Sequence, residues 1–255
     1  MNKRLMFSAA LVMTLLSANA QKRAFTIEDL YRVKGVSSVS LSPDGKTVCY
    51  TASSSDLKNQ KSGSDIYIMN ADGSHTKALT EDGKSSSAVW SKDGKSIFFT
   101  NYEKGTAQIF RMDLTTCETE QVTDYELGIG SPVISPDERY IAFTAEVYPD
   151  LGADAKANKA RMEKKEQGPV QAHIADKLLY RHWTSYNDGR CNHLILFDTQ
   201  TKTYKDLTPG NYSLIFVVGG ESPINSLLTA RRSVLYPIMM SIRRLAPMPT
   251  CGRYL

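Results

Sequence analysis

One eleven-residue phrase occurs three times in this chain, and that repetition limits what it can fold into. "SLSPDGKTVCY" spans positions 40–50, "VWSKDGKSIFF" 89–99 and "VISPDERYIAF" 133–143. Each copy passes from turn residues into a dense run of aromatic and β-branched residues, the composition of a strand rather than a helix. The leading serines, Ser42, Ser91 and Ser135, are 49 and 44 residues apart. A second mark keeps step with the first. Asn70 to Thr80, Asp113 to Thr123 and Asp198 to Thr208 are each ten residues. These stretches read as a turn after a third strand, then a fourth strand ending in a hydrophobic residue and Thr.

Four short strands in forty-odd residues, repeated, is the pattern of propeller blades. The fold class is therefore all-β, an incomplete β-propeller of about three four-stranded blades, TolB/WD40-like, with a partly helical insertion in blade three. The blades fall at about 37–80, 86–123 and 131–208. "PDG", "KDG" and "ADG" carry the Asp-Gly pair of tight hairpins. In the first blade Val48 and Tyr50 share one strand face and Cys49 takes the other, where flanking Thr47 and Thr51 suggest partial burial. "FTIEDLYRV" ahead of the first blade spaces Phe25, Ile27, Leu30 and Val33 as a short lead-in helix. Blade three is interrupted over about 148–190. "ADAKANKARMEKKEQ" is rich in helix formers but sparse in apolar residues, which makes a solvent-facing helix or an excursion ordered on contact. "HIADKLLYRHW" has apolar content enough to pack.

The ends of the chain differ from its body. "MNKRLMFSAALVMTLLSANA" has a basic start, an apolar run from Leu5 to Leu16, and Ala18 and Ala20 before Gln21. That is the form of a cleaved secretory signal over residues 1–20, with an uncleaved anchor as the competing reading. The apolar run falls short of the ~20 residues of a comfortable span. Residues 1–208 hold 26 basic and 26 acidic side chains, whereas 209–255 hold five Arg and one Glu. A balanced body gives no reason to expect a nucleic-acid partner. The basic tail begins like a fourth blade at "VVGGESPINS" and then loses the pattern. It reads as non-family sequence from a truncated or shifted frame, or else as a genuine basic variant tail. Cys49, Cys117, Cys191 and Cys251 have wide spacing that matches no metal motif, so buried or half-buried thiols are expected. No cofactor and no metal site is expected.

"FTIEDLYRVKGVSSVSLSPDGKTVCYTAS" and "LLYRHWTSYNDGRCNHLILFD" resemble the prolyl oligopeptidase (S9) family of serine peptidases, in its secreted bacterial dipeptidyl aminopeptidase and acylaminoacyl-peptidase branch. The resemblance runs from about Phe25 to Gly220. SPDGK alone is shared by many propellers; Tyr180 to Trp183 with Asp188-Gly189 is more specific. The resemblance implies a propeller that filters peptides above a C-terminal α/β-hydrolase domain; a periplasmic or secreted setting is expected, with no integral membrane association after signal cleavage. No G-x-S-x-G occurs, and the closest approach, Gly220-Glu221-Ser222-Pro223-Ile224, lacks the last Gly. No Asp, Glu or His follows Ile224 to complete a triad. No catalytic residue is expected. The substrate-binding candidates are Glu146, at the end of a blade-three strand, where a carboxylate could meet a peptide amino group, and Arg181, His182 and Trp183 after the insertion. The expected partner is a peptide or protein. The expected function is a substrate-gating propeller fragment of an exported serine peptidase, inactive on its own. The alternatives are a stand-alone TolB-like binding module or a non-functional truncated product.

Overall fold

The computed structural model describes residues 23–102, 105–170, 172–173 and 181–213. The signal-like residues 1–20, Tyr180 and the tail beyond 213 lie outside that set. Three four-stranded antiparallel sheets account for most of it. Blade one is β1 (Gly35–Leu41), β2 (Thr47–Asp56), β3 (Lys61–Asn70) and β4 (Lys77–Ala78). Blade two is β5 (Ser85–Trp90), β6 (Ser96–Asn101), β7 (Gln108–Asp113) and β8 (Thr119–Gln121). Blade three opens with β9 (Gly130–Ile134) and β10 (Tyr140–Val147), then departs through α2 (Ala155–Glu166) and the small hairpin β11 (Arg181–His182) and β12 (Ser185–Tyr186). It resumes with β13 (Cys191–Asp198) and β14 (Thr203–Asp206), in sheet order β9-β10-β13-β14. The lead-in helix α1 is Ile27–Arg32.

The recurring phrase is the joint between the first two strands of each blade. Ser42 Oγ donates to Asp44 Oδ1 at 2.6 Å, and the same bond joins Ser91 to Asp93 at 2.7 Å and Ser135 to Asp137 at 2.5 Å. The aspartate oxygen then takes the N–H two residues on, at Lys46, Lys95 or Arg139. The serine oxygen takes the N–H of Thr47, Ser96 or Tyr140. A short side chain that satisfies backbone donors inside a turn explains why Ser and Asp recur there. Gly45 and Gly94 occupy the left-handed region at φ 73° and 70°. Glu138 takes the same place in blade three at φ 59°, where glycine is favoured. Its carboxylate accepts from Lys92 N–H of blade two at 2.9 Å, so this exchange within the repeat makes an inter-blade contact.

The terminal threonine of each unit also has a backbone role. Thr80, Thr123 and Thr208 Oγ1 accept from the N–H of Ile66, Ile109 and Leu194 on the third strand, all at 2.9 Å. That N–H would otherwise be unpaired where the short fourth strand runs out.

Apolar packing lies between the blades. Cys49 and Ile66 meet Ala88, Ile97, Phe99 and Met112 at the first interface. Phe98, Ile109 and Tyr125 meet Ile141, Phe143, Val147, Ile195 and Phe197 at the second. Cys49 is fully buried rather than half-buried, because β5 of blade two closes over it and Ala88 C=O lies 3.7 Å from its Sγ. Burial pushes its thiol up to about 11. Cys117 is exposed and Cys191 buried. The apolar residues of α1 stay largely exposed.

Helix α2 is held by polar contacts instead of an apolar stripe. Asn158 is fully buried. It accepts from Tyr148 N–H at 2.6 Å and donates to the carbonyls of Gly152 and Asp154. Arg161 adds a two-pronged pair with Asp150 and stacks 4.7 Å from the centre of the Tyr148 ring. The helix is thus anchored at one buried position, with most of its remaining surface toward solvent.

Candidate functional site

Glu146 is the next-to-last residue of β10 and points away from blade two, since Ala145 and Val147 take the inward face. Its carboxylate pairs with Arg190 at 3.3 Å and remains largely exposed. Arg190 bonds Asp188 through Nε at 2.8 Å, and Lys165 of α2 reaches Asp188 C=O at 2.7 Å. One arginine thus joins the end of β10, the turn before β13 and, through Asp188, the end of α2. Sequence reasoning singled out Glu146 without its counter-ion. Arg190 follows the Asp-Gly turn of "YNDGR", which places a side chain back toward the strand end, and that was the available signal.

Arg181, His182 and Trp183 sit on the β11–β12 hairpin, four residues before β13 at its far end. Arg181 lies 5.9 Å from the Tyr186 ring centre, and His173 stacks on the same ring with centroids 3.9 Å apart. Trp183 occupies the turn at φ 51° and is 83% exposed. The hairpin therefore presents a cation and a large aromatic ring to solvent, in the same insertion whose C-terminal turn holds Glu146. The His182 side chain lies outside what is described.

His193 and Asp206 have the look of the acid and base of a hydrolase triad. His193 Nδ1 meets Asp206 Oδ2 at 2.7 Å. Nε2 faces Gly210 C=O at 2.9 Å, not a hydroxyl, and the ring is fully buried. A general base needs its second nitrogen within reach of a nucleophile, so this pair is structural. The repeat explains it. His193 stands fifteen residues before Thr208, as Gln108 does before Thr123 and Asp65 before Thr80. Asp65 takes Gly83 N–H, Gln108 takes Tyr125 N–H and donates to Tyr125 C=O, and His193 meets Gly210. Each grips the segment that leaves its blade. Among the described residues no group of His, Cys, Asp or Glu could hold a metal ion.

A family model described as PD40, TolB beta propeller domain, matches residues 18–167. The chain belongs to the TolB β-propeller domain family. Dipeptidyl-peptidase 5 of Porphyromonas gingivalis is 31% identical over 193 residues, 73% of this chain and 27% of that protein. Dipeptidyl-peptidase 5 of Porphyromonas endodontalis is 28% identical over 168 residues, 66% of this chain and 23% of that protein. The chain spans about a quarter of the length of these relatives. Among solved structures, Pyrococcus horikoshii acylaminoacyl peptidase superposes with a TM-score of 0.50 at 18% identity, over 69% of this chain and 25% of that one, a likeness of fold. The similarity of this TolB-type propeller chain is thus to the propeller region of S9-type peptidases. Among its described residues no helix is long and apolar enough to cross a membrane.

Proposed function

We propose that this chain is the peptide-admitting propeller portion of an exported serine peptidase and performs no bond cleavage itself. The observation that carries the reading is the blade-three insertion, which presents Trp183 and Arg181 to solvent on a hairpin four residues ahead of the Arg190 that pairs with Glu146. Exposed aromatic and arginine side chains are the usual anchors of peptide and protein recognition. Glu146 and Arg190 supply a carboxylate and a guanidinium at one place, suited to the polar backbone and termini of a peptide. The signal-like N-terminus supports a periplasmic or secreted setting. The lack of G-x-S-x-G and the occupied Nε2 of His193 support the absence of catalysis.

The test uses the full chain with a dipeptidyl naphthylamide and with fluorescent peptides. The expected result is no hydrolysis, together with peptide binding weakened in Arg181→Ala and Trp183→Ala. Hydrolysis abolished by a serine-directed reagent would refute the no-cleavage part. Binding indifferent to both substitutions would refute the site.

A further inference from the structure

Two departures from the repeat meet at one place, away from the blade-three insertion. Blades one and three have proline, Pro43 and Pro136, after the leading turn serine; blade two has Lys92. Blades one and two have glycine at the left-handed turn position; blade three has Glu138. Proline has no N–H to give, so Lys92 is the one residue at that repeat position able to donate from its backbone. Glu138 Oε1 takes that N–H at 2.9 Å. Its other oxygen meets no donor among the described residues.

Lys92 and Glu138 are both among the residues that line a crevice of about 450 Å³ between the first strands of blades two and three. Its walls include Val89, Trp90, Val133 and Ile134. The indole N–H of Trp90 is spent on Ser40 C=O at 3.1 Å, so the ring offers only apolar surface to the crevice. The volume is that of a small-molecule site, apolar with a few convergent polar groups. An acidic and a basic residue on the wall of one apolar crevice complement a ligand that carries both charges and an apolar body.

We propose that this crevice binds a short free peptide with large apolar side chains, its ammonium on Glu138 and its carboxylate on Lys92. The site stands apart from the hairpin of blade three and does not rest on it. A charge-assisted bond at each end fixes orientation, and the crevice walls take the side chains.

The experiment titrates leucyl-phenylalanine into the full chain by calorimetry, alongside its Nα-acetyl and C-amide forms. Trp90 fluorescence in the Trp183→Phe variant provides a second readout. Saturable binding is expected, weakened about tenfold or more by acetylation or by Glu138→Gln, and by amidation or Lys92→Met. Glu138→Gln keeps an oxygen for Lys92 N–H, and Lys92→Met keeps that N–H, so both preserve the inter-blade bond. The proposal is overturned by no saturation below about 10 mM, by equal binding of the acetylated peptide, or by unchanged affinity in both variants.

Discussion

Tyr50 and Phe99 hold the same position in successive blades, and each faces a ring on the next strand. Tyr50 stacks on Tyr67 with centroids 5.6 Å apart; Phe99 stacks on Phe110 at 5.9 Å. Phe99 is 4% exposed because blade one lies over it. Tyr50 points to the opposite side of its own sheet, which no described blade covers, and is half-buried. The hydroxyls of the tyrosine pair can stay wet, whereas the covered pair has none to satisfy. The wider sheets follow suit. Every residue of β6 is buried, whereas its counterpart β2 is buried only at Cys49 and Thr51. One repeat thus yields two kinds of strand according to how many neighbours its sheet has.

The sharpest way to break this comparison is to truncate both rings. Phe99→Ala should cost ~3–5 kcal/mol, whereas Tyr50→Ala should cost about 1 kcal/mol, measured by urea unfolding. Equal losses would mean that the face of blade one is covered in solution. A smaller contrast lies in the repeated threonines. Thr123 is fully buried and donates to Gln108 at 2.8 Å, whereas Thr80 is half-buried and donates to Asp65 at a longer 3.2 Å. Thr123→Val should cost ~1–3 kcal/mol and Thr80→Val less than about 1 kcal/mol, by the same assay.

The turn aspartates should respond alike in all blades. The serine hydroxyl leads in lowering Asp44 and Asp137, and the Lys95 N–H in lowering Asp93. A carboxylate depressed in the folded state contributes stability above the ordinary carboxylate range and loses it as pH falls through the folded value. Acid unfolding followed by circular dichroism should therefore show Asp44→Asn and Asp93→Asn with less pH dependence below about pH 4 than the parent. An unchanged profile would remove these turns from the acid response. The smallest effect is expected on the open face, where Val39→Lys should shift stability by no more than about 0.5 kcal/mol.

The periodic part of this fold was open to reading from residue order alone, because turn chemistry and strand composition are local. Ser42 with Asp44, and Thr80 ten residues after Asn70, carry their reasons within a few positions. Contacts between units do not. Glu138 reaches Lys92 across 46 residues, so residue order shows only its oddity within the repeat. Cys49 looked half-buried because the strand that closes it comes 36 residues later, at Ser85. Asn158 is a polar anchor inside a helix with sparse apolar residues, a position that amphipathic periodicity does not mark. Of the site, Glu146 and the Arg181–Trp183 segment were nameable, but the Arg190 pairing that joins the strand end to the insertion's turn depends on the folded path.

The grip of Asp65 on Gly83 and of Gln108 on Tyr125 bears on where this chain can be cut. A blade's own residue also holds the linker that starts the next one, so a boundary drawn at Thr80 or Thr123 removes the Gly83 or Tyr125 partner and leaves Asp65 or Gln108 only its bonds within the blade. Excised blades should end after the gripped segment, at Lys84 or Ile129. Grafts that swap whole blades need to carry the linker with the preceding unit, even where sequence alignment assigns it to the following one.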